Sequence, residues 1–457
     1  MKNIEVIIEE VKCQLDAFDI YSIFKDEKNT IILDSGRDFE DMGRYSFIGV
    51  NPFLTFKGKG NKIDINNKKF EGNIFDELRK ILNSYRISNP TEIPFIGGGI
   101  GYLSYDLGRE IEEVPNTAIE DIDIPYIYYN FYDNLIIYDN LERKCYITAL
   151  GILKEKNQSI DEIIKRILNG KKVEYKNVGP IRPELFKSNF ENEEYLRSVN
   201  KVREYIKEGH IYIMNLTQRF TCECGRNPYE VYRDLRYINP APFAAYMNLE
   251  GFSILSSSPE RFLRRKNQKV ETRPIKGTRP RGKTEEEDKE NIEELMNSEK
   301  DKSELLMIVD LERNDLSRVC KPFTVKVPEL FALESYATVH HLVSTVEGEL
   351  KEENDTVELI KVCFPGGSIT GAPKIRSMEI IEELEGIRRN IYTGSIGYIG
   401  FDGSMDLNIV IRTIHMENGK AYFGVGGGIT WESECNFEYE ETLHKAAALM
   451  RALGNGC

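Results

Sequence analysis

The sequence predicts a folded protein of mixed helices and strands, arranged as two halves joined by one connection. Three observations support this prediction: an ordinary globular composition, short alternating apolar segments in the first half, and longer charged segments with helical spacing in the second. Hydrophobic residues make up 40% and charged residues 30% of the 457 residues, which is typical of globular domains.

The first half is predicted to be rich in strands. After a short helix at the start, apolar residues alternate in TIILDSG, RYSFIGVNPFLTF and IPYIYYNFYDNLIIYD, while NIFDELRKILNSY has helical spacing. Residues 169–188 contain Gly, Pro and Lys without a period, as a connection would. We therefore predict an N-terminal region of residues 1–180 and a second domain of residues 186–454.

The second half alternates between helices and strands. Acidic residues in the first turn, an apolar stripe and the closing Gly209 predict a helix over NFENEEYLRSVNKVREYIKEG. Strands are predicted at IYIMNLTQRF, FAAYMNL, FSILSSS and KVETRPIKG. One long helix is predicted over TEEEDKENIEELMNSEKDKSELLMIVDLERND, and a last one over FEYEETLHKAAALMRALG.

The charge of the chain limits its partners. Its net charge of −14, from 61 basic and 75 acidic residues, disfavours nucleic acids and anionic membrane surfaces. The sequence contains no apolar run of membrane-spanning length, and its start is not signal-like, so we expect a cytoplasmic protein. The eight sparse cysteines predict reduced thiols, with metal binding by Cys222 and Cys224 as the alternative.

Two acidic pairs could form a metal site. Asp301 and Glu304 lie three residues apart on the long helix, as do Glu438 and Glu441 on the last one, so each pair shares a helix face. Oxygen ligands of this kind suit Mg²⁺. The alternative is that both pairs are solvated surface charges.

Three residues could carry proton transfer or nucleophilic chemistry. Lys276 lies in TRPIKGTRPRG among three arginines, whose charges, together with burial, would favour the neutral amine that attacks carbon. Glu260 in SSSPERF and His341 in TVHHLVSTV are candidate acid or base groups. The alternatives are a surface lysine, a surface carboxylate and a buried structural histidine.

Two glycine-rich loops could contact a ligand through their backbone. Residues 364–374, FPGGSITGAPK, lead into a helix at Pro373, where free N–H groups can face an anion. Residues 424–430, GVGGGIT, lack the terminal Lys and Ser/Thr of a nucleotide-binding loop. Either segment could also be an ordinary loop.

Taken in order, the motifs resemble those of the chorismate-utilising enzymes, the anthranilate, aminodeoxychorismate, isochorismate and salicylate synthases. They are GRYSFIG, NLTQRF, SSPERF, PIKGTRPRG, VDLERND, HHLVSTV, GSITGAPK, IVIRT, GGGI and EYEETLHKA. The resemblance implies an α+β fold of two large antiparallel β-sheets packed as a sandwich with helices outside. Lys276 in PIKGT is similar to the aminodeoxychorismate synthases, component I, whereas the anthranilate synthases resemble PIAGT there.

The resemblance implies roles for the candidate residues. Glu304 and Glu441, with Asp301 and Glu438 behind them, would hold the Mg²⁺ that binds the ring carboxylate of chorismate. Glu260 would protonate the departing C4 hydroxyl, Lys276 would attack C2, and ammonia would then enter at C4 and expel the lysine. The remaining substrate contacts and the active-site histidine are implied at Arg412, Tyr392, Thr370, Gly371, Gly426, Gly427, Gly428 and His341.

Some positions depart from the family pattern. Ile213 stands where isochorismate and salicylate synthases use a lysine base, which disfavours water addition at C2, and aminating members commonly resemble GDIYQVNL around His210 and Ile213. Ser35, Asn239 and Pro240 match the walls of a tryptophan pocket, for which we expect a structural remnant rather than feedback control.

The source of ammonia must lie outside this chain. No cysteine occurs in the GxCxG setting of a glutaminase, so a separate glutamine amidotransferase subunit is implied. Two alternatives remain open. One is anthranilate synthase component I, and the other is a non-catalytic regulatory homologue that binds an aromatic amino acid.

Overall fold

The computed structural model describes residues 2–36, 42–175, 177–335 and 339–454. Its strands are β1 Lys2–Ile4, β2 Ile7–Val11, β3 Ile31–Asp34, β4 Tyr45–Lys59, β5 Lys62–Ile65, β6 Lys68–Glu71, β7 Tyr85–Ile87, β8 Gly98–Leu103, β9 Ile127–Asp139, β10 Lys144–Ala149, β11 Lys187–Ser188, β12 Ile213–Glu223, β13 Phe243–Asn248, β14 Phe252–Ser258, β15 Arg261–Lys266, β16 Lys269–Arg273, β17 Ile275–Pro280, β18 Lys326–Ser335, β19 Val339–Glu349, β20 Gly371–Ala372, β21 Ser395–Gly400, β22 Met405–Asn408, β23 Thr413–Glu417 and β24 Lys420–Ile429.

The helices lie between these strands. They are α1 Ala17–Phe24, α2 Ile74–Ser84, α3 Lys156–Leu168, α4 Asn192–Lys207, α5 Pro228–Ile238, α6 Glu285–Asn297, α7 Glu299–Val319, α8 Thr356–Cys363, α9 Lys374–Glu385 and α10 Cys435–Leu453. Short 3₁₀ turns occur at Tyr105–Glu110, Pro183–Leu185 and Gly367–Ile369. Within the described ranges, no helix has the length and apolar character needed to cross a membrane.

Antiparallel pairing joins most strands into two large sheets that share β9. The first runs in the order β11, β12, β24, β23, β14, β13, β3, β4, β9. The second runs in the order β9, β8, β21, β22, β15, β16, β19, β18. Strand β17 follows β16 in the chain and pairs with the same strand, β19. Each sheet therefore contains strands from both halves of the sequence.

The largest buried core contains apolar residues from both sheets and from the helices around them. Phe131 of β9, Ile254 of β14, Leu263 of β15 and Leu342 of β19 each expose 1% of their surface or less. Burying such side chains stabilises the fold by about 1.5–3 kcal/mol each. The predicted α+β fold with two antiparallel sheets and outer helices is confirmed.

Two element predictions were wrong in detail. The chain begins with β1 and β2, and the first helix starts only at Ala17, because β2 pairs along the edge of β10. The single long helix is two helices that meet at Ser298. Its side chain accepts a hydrogen bond from the Asp301 N–H and caps α7, just where α6 ends.

One cysteine differs from the prediction of reduced thiols. Cys224 is disulfide-bonded, whereas Cys222, its neighbour in the CxC sequence, is a buried free thiol. Sequence spacing could not predict this, because it does not report which distant residues the fold brings together.

Candidate active site

Lys276 lies on β17 at a bulge. The register with β19 shifts between Lys276 and Thr278, and Gly277 has φ +75°, where a side chain would meet Leu295 and Asp301. Such a bulge re-aims the neighbouring side chain. The Lys276 ammonium group donates a hydrogen bond to the Ser368 carbonyl, with 3.1 Å between nitrogen and oxygen.

The three arginines near Lys276 in sequence are paired with acidic residues, and carboxyl groups lie close to the Lys276 side chain. Those arginines pair with acids on α6, α7 and β18: Arg273 with Glu334 at 2.5 Å, Arg279 with Glu294 at 2.9 Å and Asp301 at 3.2 Å, and Arg281 with Asp288 at 2.8 Å. The carboxyl groups on which the Lys276 charge acts are Glu260, Glu304 and Glu441.

Glu260 is a buried acid in the turn after β14. It is 5% exposed, and its Oε1 atom has no hydrogen-bond partner among the described residues. Burial raises the pKa of Glu260, against the opposing effects of a hydrogen bond with Ser368 and the charge of Lys276. This raised pKa favours the protonated acid, which is able to donate a proton.

His341 lies beside β17 as a neutral base. Its Nδ1 atom is 2.9 Å from the Thr278 hydroxyl oxygen. Burial, followed by the charge of Arg412, lowers the pKa of His341 to about 4. The imidazole is therefore uncharged at neutral pH and can accept or donate a hydrogen bond without adding charge.

Arg412 brings a half-buried positive charge to the same region. Its backbone has φ +52°, an uncommon conformation for a residue with a side chain. Burial lowers the pKa of Arg412, opposed by the charges of Tyr392 and Glu441. Within the described part of the chain, its guanidinium group forms no ion pair. Its half-buried cation is therefore available to an anionic ligand.

Tyr392 packs tightly against the backbone of β24. A Cβ atom on Gly424 would come within 2.3 Å of the Tyr392 ring, so only glycine fits there. Burial raises the pKa of Tyr392, which keeps its phenol protonated. Arg389, Glu385 and Arg412 are the nearest charges acting on it.

The glycine loops bring backbone close to these side chains. A Cβ atom on Gly428 would lie 3.3 Å from Glu304 Oε2, 3.5 Å from Lys276 Nζ and 3.2 Å from Ile213 Cδ1. A Cβ atom on Gly426 would lie 2.5 Å from the Leu216 carbonyl oxygen. The predicted lysine, one predicted metal ligand and the glycine loop therefore meet at one place between β12, β17 and β24.

Thr370 and Gly371 hold the start of β12. Gly371 has φ +139°, and a Cβ atom there would come within 2.2 Å of the Ile213 carbonyl oxygen. The Asn215 N–H donates to the Thr370 carbonyl at 2.9 Å, and the buried Thr370 hydroxyl donates to the Gly366 carbonyl at 2.8 Å. These contacts fix the loop beside Ser368.

Three of the four predicted metal carboxylates gather next to this loop. A Cβ atom on Gly427 would lie 3.2 Å from Glu438 Oε2 and 3.9 Å from Glu441 Oε1, while Glu304 faces Gly428. Asp301 packs against Gly277 and pairs with Arg279 at 3.2 Å. Helices α7 and α10 thus bring their acidic faces together.

Two lysines compensate these carboxylates. Lys300 Nζ lies 3.2 Å from Glu438 Oε1 and 3.9 Å from Glu304 Oε1. Lys445 Nζ lies 2.5 Å from Glu441 Oε1. Although burial acts to raise the pKa of Glu441, the charge and hydrogen bond of Lys445 hold it below its usual value.

The donor set fits Mg²⁺. Burial raises the pKa of Glu304 to about 7, so a cation beside it would stabilise the ionised form. Among the described residues, no three His, Cys, Asp or Glu side chains are grouped closely enough to enclose a metal ion. Mg²⁺ does not require such a cage, because it is usually bound by one or two carboxylates together with water and substrate oxygens.

The other predicted residues either lie apart from the residues around Lys276 and Gly428 or contribute an uncharged side chain to them. His210 is exposed and lies 3.4 Å from Glu208, whereas Ile213 is buried beside Gly428. The Ser35 hydroxyl donates to the Tyr45 carbonyl at 2.9 Å and lines a cavity of about 290 Å³.

The two other residues of the predicted tryptophan pocket do not line that cavity. Pro240 packs against Gly36: a Cβ atom added to Gly36 would lie 3.1 Å from the Cβ atom of Pro240. The Asn239 amide donates to the Ser257 hydroxyl at 3.1 Å. Pro242 lines the cavity with Ser35.

Three residues at the site were missed as individual candidates: Ser368, Lys300 and Lys445. Both lysines stand four residues from a predicted metal ligand on the same helix, a spacing that predicts an ion pair and could have identified them. Ser368 had no comparable signal in the sequence. It contacts the site through its backbone carbonyl, which accepts from Lys276, and through its side chain, which bonds to Glu260, and both partners are distant in sequence.

Comparisons with known proteins identify the family. The chorismate binding enzyme family matches residues 28–451. Anthranilate synthase component 1 of Acetivibrio thermocellus is 37% identical and covers 99% of this chain and 95% of its own. Aminodeoxychorismate synthase component 1 of Bacillus subtilis (strain 168) is 38% identical, covering 97% and 96%.

A solved structure agrees as well. Anthranilate synthase component I from Streptococcus pneumoniae TIGR4 superposes with a TM-score of 0.79 at 30% sequence identity, covering 89% of this chain and 92% of that one. Together with the family match and the two relatives, this likeness shows that the chain belongs to the chorismate binding enzymes.

Proposed function

We propose that this chain is the chorismate-aminating component of an aminodeoxychorismate synthase, which forms 4-amino-4-deoxychorismate on the route to para-aminobenzoate and folate. The proposal is carried by one observation: the side chain of Lys276 meets Glu304 at Gly428 and interacts with Glu260. A lysine at this place offers a nucleophile beside a buried proton donor.

In the proposed mechanism, each residue acts on one part of chorismate. Arg412 and the phenol of Tyr392 bind a substrate carboxylate, with the Thr370–Gly371 and Gly426–Gly428 backbone beside it. Glu260 donates its proton to the C4 oxygen, which leaves as water while Lys276 bonds to C2. Ammonia then bonds to C4, and the bond between C2 and Lys276 breaks.

Mg²⁺ is the proposed cofactor, held by Glu304 and Glu441 with Asp301 and Glu438 behind them. When bound, it supplies positive charge for the ring carboxylate of the substrate. Without the metal, Lys300 and Lys445 balance the negative charge of Glu438 and Glu441. His341 lines the site as a neutral imidazole.

Ammonia is proposed to come from a partner glutamine amidotransferase. The sequence has no cysteine in a GxCxG setting, so we expect the purified chain to use ammonium salts but not glutamine. Assays of glutamate release with the chain alone, and with an added amidotransferase subunit, test this. Glutamine consumption by the chain alone would contradict it.

Anthranilate synthase component I is the second candidate. It is favoured by the relative from Acetivibrio thermocellus, which is as similar as the aminodeoxychorismate synthase from Bacillus subtilis. The two candidates differ in product. Incubation with chorismate, Mg²⁺ and ammonium, followed by chromatography and mass spectrometry, separates an aminated chorismate that retains its enolpyruvyl group from ortho-aminobenzoate with released pyruvate.

The product decides between the proposals. An aminated chorismate that a separate lyase converts to para-aminobenzoate is the expected result. Ortho-aminobenzoate with stoichiometric pyruvate would replace the proposal by the second candidate. No turnover under these conditions, together with binding of an aromatic amino acid in calorimetry, would support a regulatory homologue.

A further inference from the structure

A strongly basic cleft lies between α1, the end of α3, the segment that follows α3, and α5. Its volume is about 740 Å³, which is within the range of small-molecule sites. Its charged lining residues are six cations, Lys25, Lys165, Arg166, Lys171, Lys172 and Arg233, and one acid, Glu174. None of the residues that line it belongs to the candidate active site.

Most of this positive charge is not compensated by the protein. Arg166 pairs with Glu27 at 2.5 Å, and Arg233 pairs with Asp234 at 3.1 Å. The four lysines of the cleft form no ion pair with any residue that the structure describes. The charge of these four lysines is therefore open to a ligand.

Ordinary structural roles account for only part of the cluster. Lys165 lies in the last turn of α3, where a cation complements the helix dipole, and Lys25 Nζ lies 5.0 Å from the centre of the Tyr229 ring. Lys171 and Lys172 are exposed and lie outside any helix or strand. Neither of these two roles accounts for the charge of this pair.

The segment that carries Lys171 and Lys172 is anchored at both ends. The Gly170 N–H donates to the Ile167 carbonyl at 3.0 Å. The Val173 N–H donates to Asp19 Oδ1 at 2.7 Å. The two lysines are therefore presented from a backbone fixed against α1 and α3, so that lysines from three separate segments face one concavity.

We propose that this cleft binds a small ligand that carries two or more phosphate groups. Lysine binds phosphate as a point charge, and several lysines around one concavity suit a ligand with several negative groups. The cleft is too small for a folded acidic domain, and the negative charge of the rest of the chain disfavours long nucleic acids.

Calorimetric titration of the full-length chain with inorganic tripolyphosphate tests this proposal. The buffer is metal-free and contains about 0.15 M salt, which screens weak long-range attraction. We expect one binding site per chain. Lys171→Glu/Lys172→Glu should weaken binding by about tenfold or more, which corresponds to roughly 1.4 kcal/mol.

The matched control is Lys68→Glu/Lys69→Glu on β6. This pair is also adjacent and exposed, lacks ion pairs within the described ranges, and changes the net charge by the same amount. It should leave tripolyphosphate affinity within about twofold of the parent. The thermal unfolding midpoint of each variant verifies that the fold is retained, and Lys25→Met provides a second test within the cleft.

Three outcomes would overturn the proposal. The first is no binding to the parent chain, and the second is an equal loss in both double variants, which would show general attraction to the surface. The third is tighter binding of a hexaglutamate peptide than of tripolyphosphate, which would indicate an acidic protein segment as the occupant. Product formation from chorismate reports separately on the active site.

Discussion

Lys276 and Glu260 are joined through one residue, Ser368. The Ser368 carbonyl accepts from the Lys276 ammonium group at 3.1 Å, and its side chain is hydrogen-bonded to Glu260. The raised pKa of Glu260 keeps a proton available on that carboxyl group. The pair therefore suits a step in which the acid gives up its proton as the amine bonds to carbon.

Replacing Lys276 by alanine should abolish both turnover and a covalent adduct. We expect mass spectrometry of the parent chain, quenched during reaction with chorismate, to show a protein mass increased by the bound substrate fragment. Lys276→Ala should show only the unmodified mass, and Lys269→Ala, which replaces an exposed lysine on β16, should behave like the parent. An unmodified parent that forms the para-type product would remove the covalent step and leave the function.

Replacing Glu260 by glutamine should slow the reaction without unfolding the protein. Loss of a positioned acid lowers kcat by a factor of about 10²–10⁴. Burial raises the pKa of Glu260, so kcat of the parent should fall as pH rises through that pKa, and Glu260→Gln should lack this decline. Steady-state rates across pH measure it. A variant with the parent's alkaline decline would assign the titration to another group.

Glu312 is a buried acid that the proposed mechanism does not use. The Thr272 hydroxyl donates to its Oε2 atom at 2.8 Å. Burial raises the pKa of Glu312 to about 8; the hydrogen bond from Thr272 lowers this pKa, and the charge of Glu260 raises it further. Its folded-state pKa is above its unfolded value, so the unfolded chain loses the proton first. Stability should therefore fall as pH rises from about 4.5 to 8.

Glu312→Gln should remove part of that pH dependence. The amide still accepts from Thr272, but nothing ionises on unfolding, so the variant should gain stability over the parent at pH 8. The gain is at most about 5 kcal/mol, and it should vanish near pH 4. Denaturant unfolding at both pH values measures it, with the exposed Glu293→Gln as control. Equal stability of the parent and Glu312→Gln at pH 8 would contradict the buried neutral acid.

At the scale of elements, a buried ion pair ties α9 to the loops of the site. Arg389 pairs with Glu385 at 2.6 Å and donates to the carbonyls of Ile369 at 2.7 Å and Asn215 at 2.6 Å. The Thr217 N–H donates to Glu385 at 2.9 Å. This pair therefore holds the start of β12 and the turn before Thr370 in one arrangement.

Arg389→Met should be more damaging than replacement of both partners. The single variant leaves a buried carboxylate without its cation, which costs about 3–5 kcal/mol. Arg389→Met/Glu385→Leu removes both charges and should recover part of that loss. Unfolding free energies of the two variants and the parent test this. A double variant that is less stable than Arg389→Met would mean that the charges do not act as a pair.

Helix spacing allowed the pairing of acidic residues on α7 and α10 to be predicted from sequence, but not their connections to other residues. Glu304 and Glu441 were predicted because each shares a helix face with a second acid, which is a local property. The break at Ser298 was missed because a serine cap competes with a continuous helical pattern. The arginines around Lys276 were misjudged because a bulge and strand alternation, which are not local in sequence, turn them toward α6 and β18.

Across the whole molecule, the two sheets bring distant segments to one cleft. Lys276 comes from β17 in the second sheet, Gly428 from β24 in the first, and Glu304 from α7 outside them. The two antiparallel sheets were implied by a family resemblance and not by apolar alternation, which predicts strands but not their partners. The excess of acidic charge also makes local cations such as Arg412 necessary for an anionic substrate.

Mg²⁺ should stabilise the whole chain by joining α7 to α10. A ligand that binds only the folded state stabilises it, by about 2.7 kcal/mol at a hundred times its Kd. The proton on Glu304, whose pKa is about 7, competes with the metal. The rise in unfolding temperature on adding MgCl₂ should therefore be larger at pH 8 than at pH 6.

Variants on α10 separate this effect from general salt stabilisation. Glu441→Gln removes a proposed ligand, whereas Glu440→Gln changes the adjacent exposed carboxylate and alters net charge equally. We expect the MgCl₂-induced rise in unfolding temperature to be lost in the first and kept in the second. An equal response of both variants would place the cation elsewhere, because nonspecific screening does not distinguish neighbouring carboxylates on one helix.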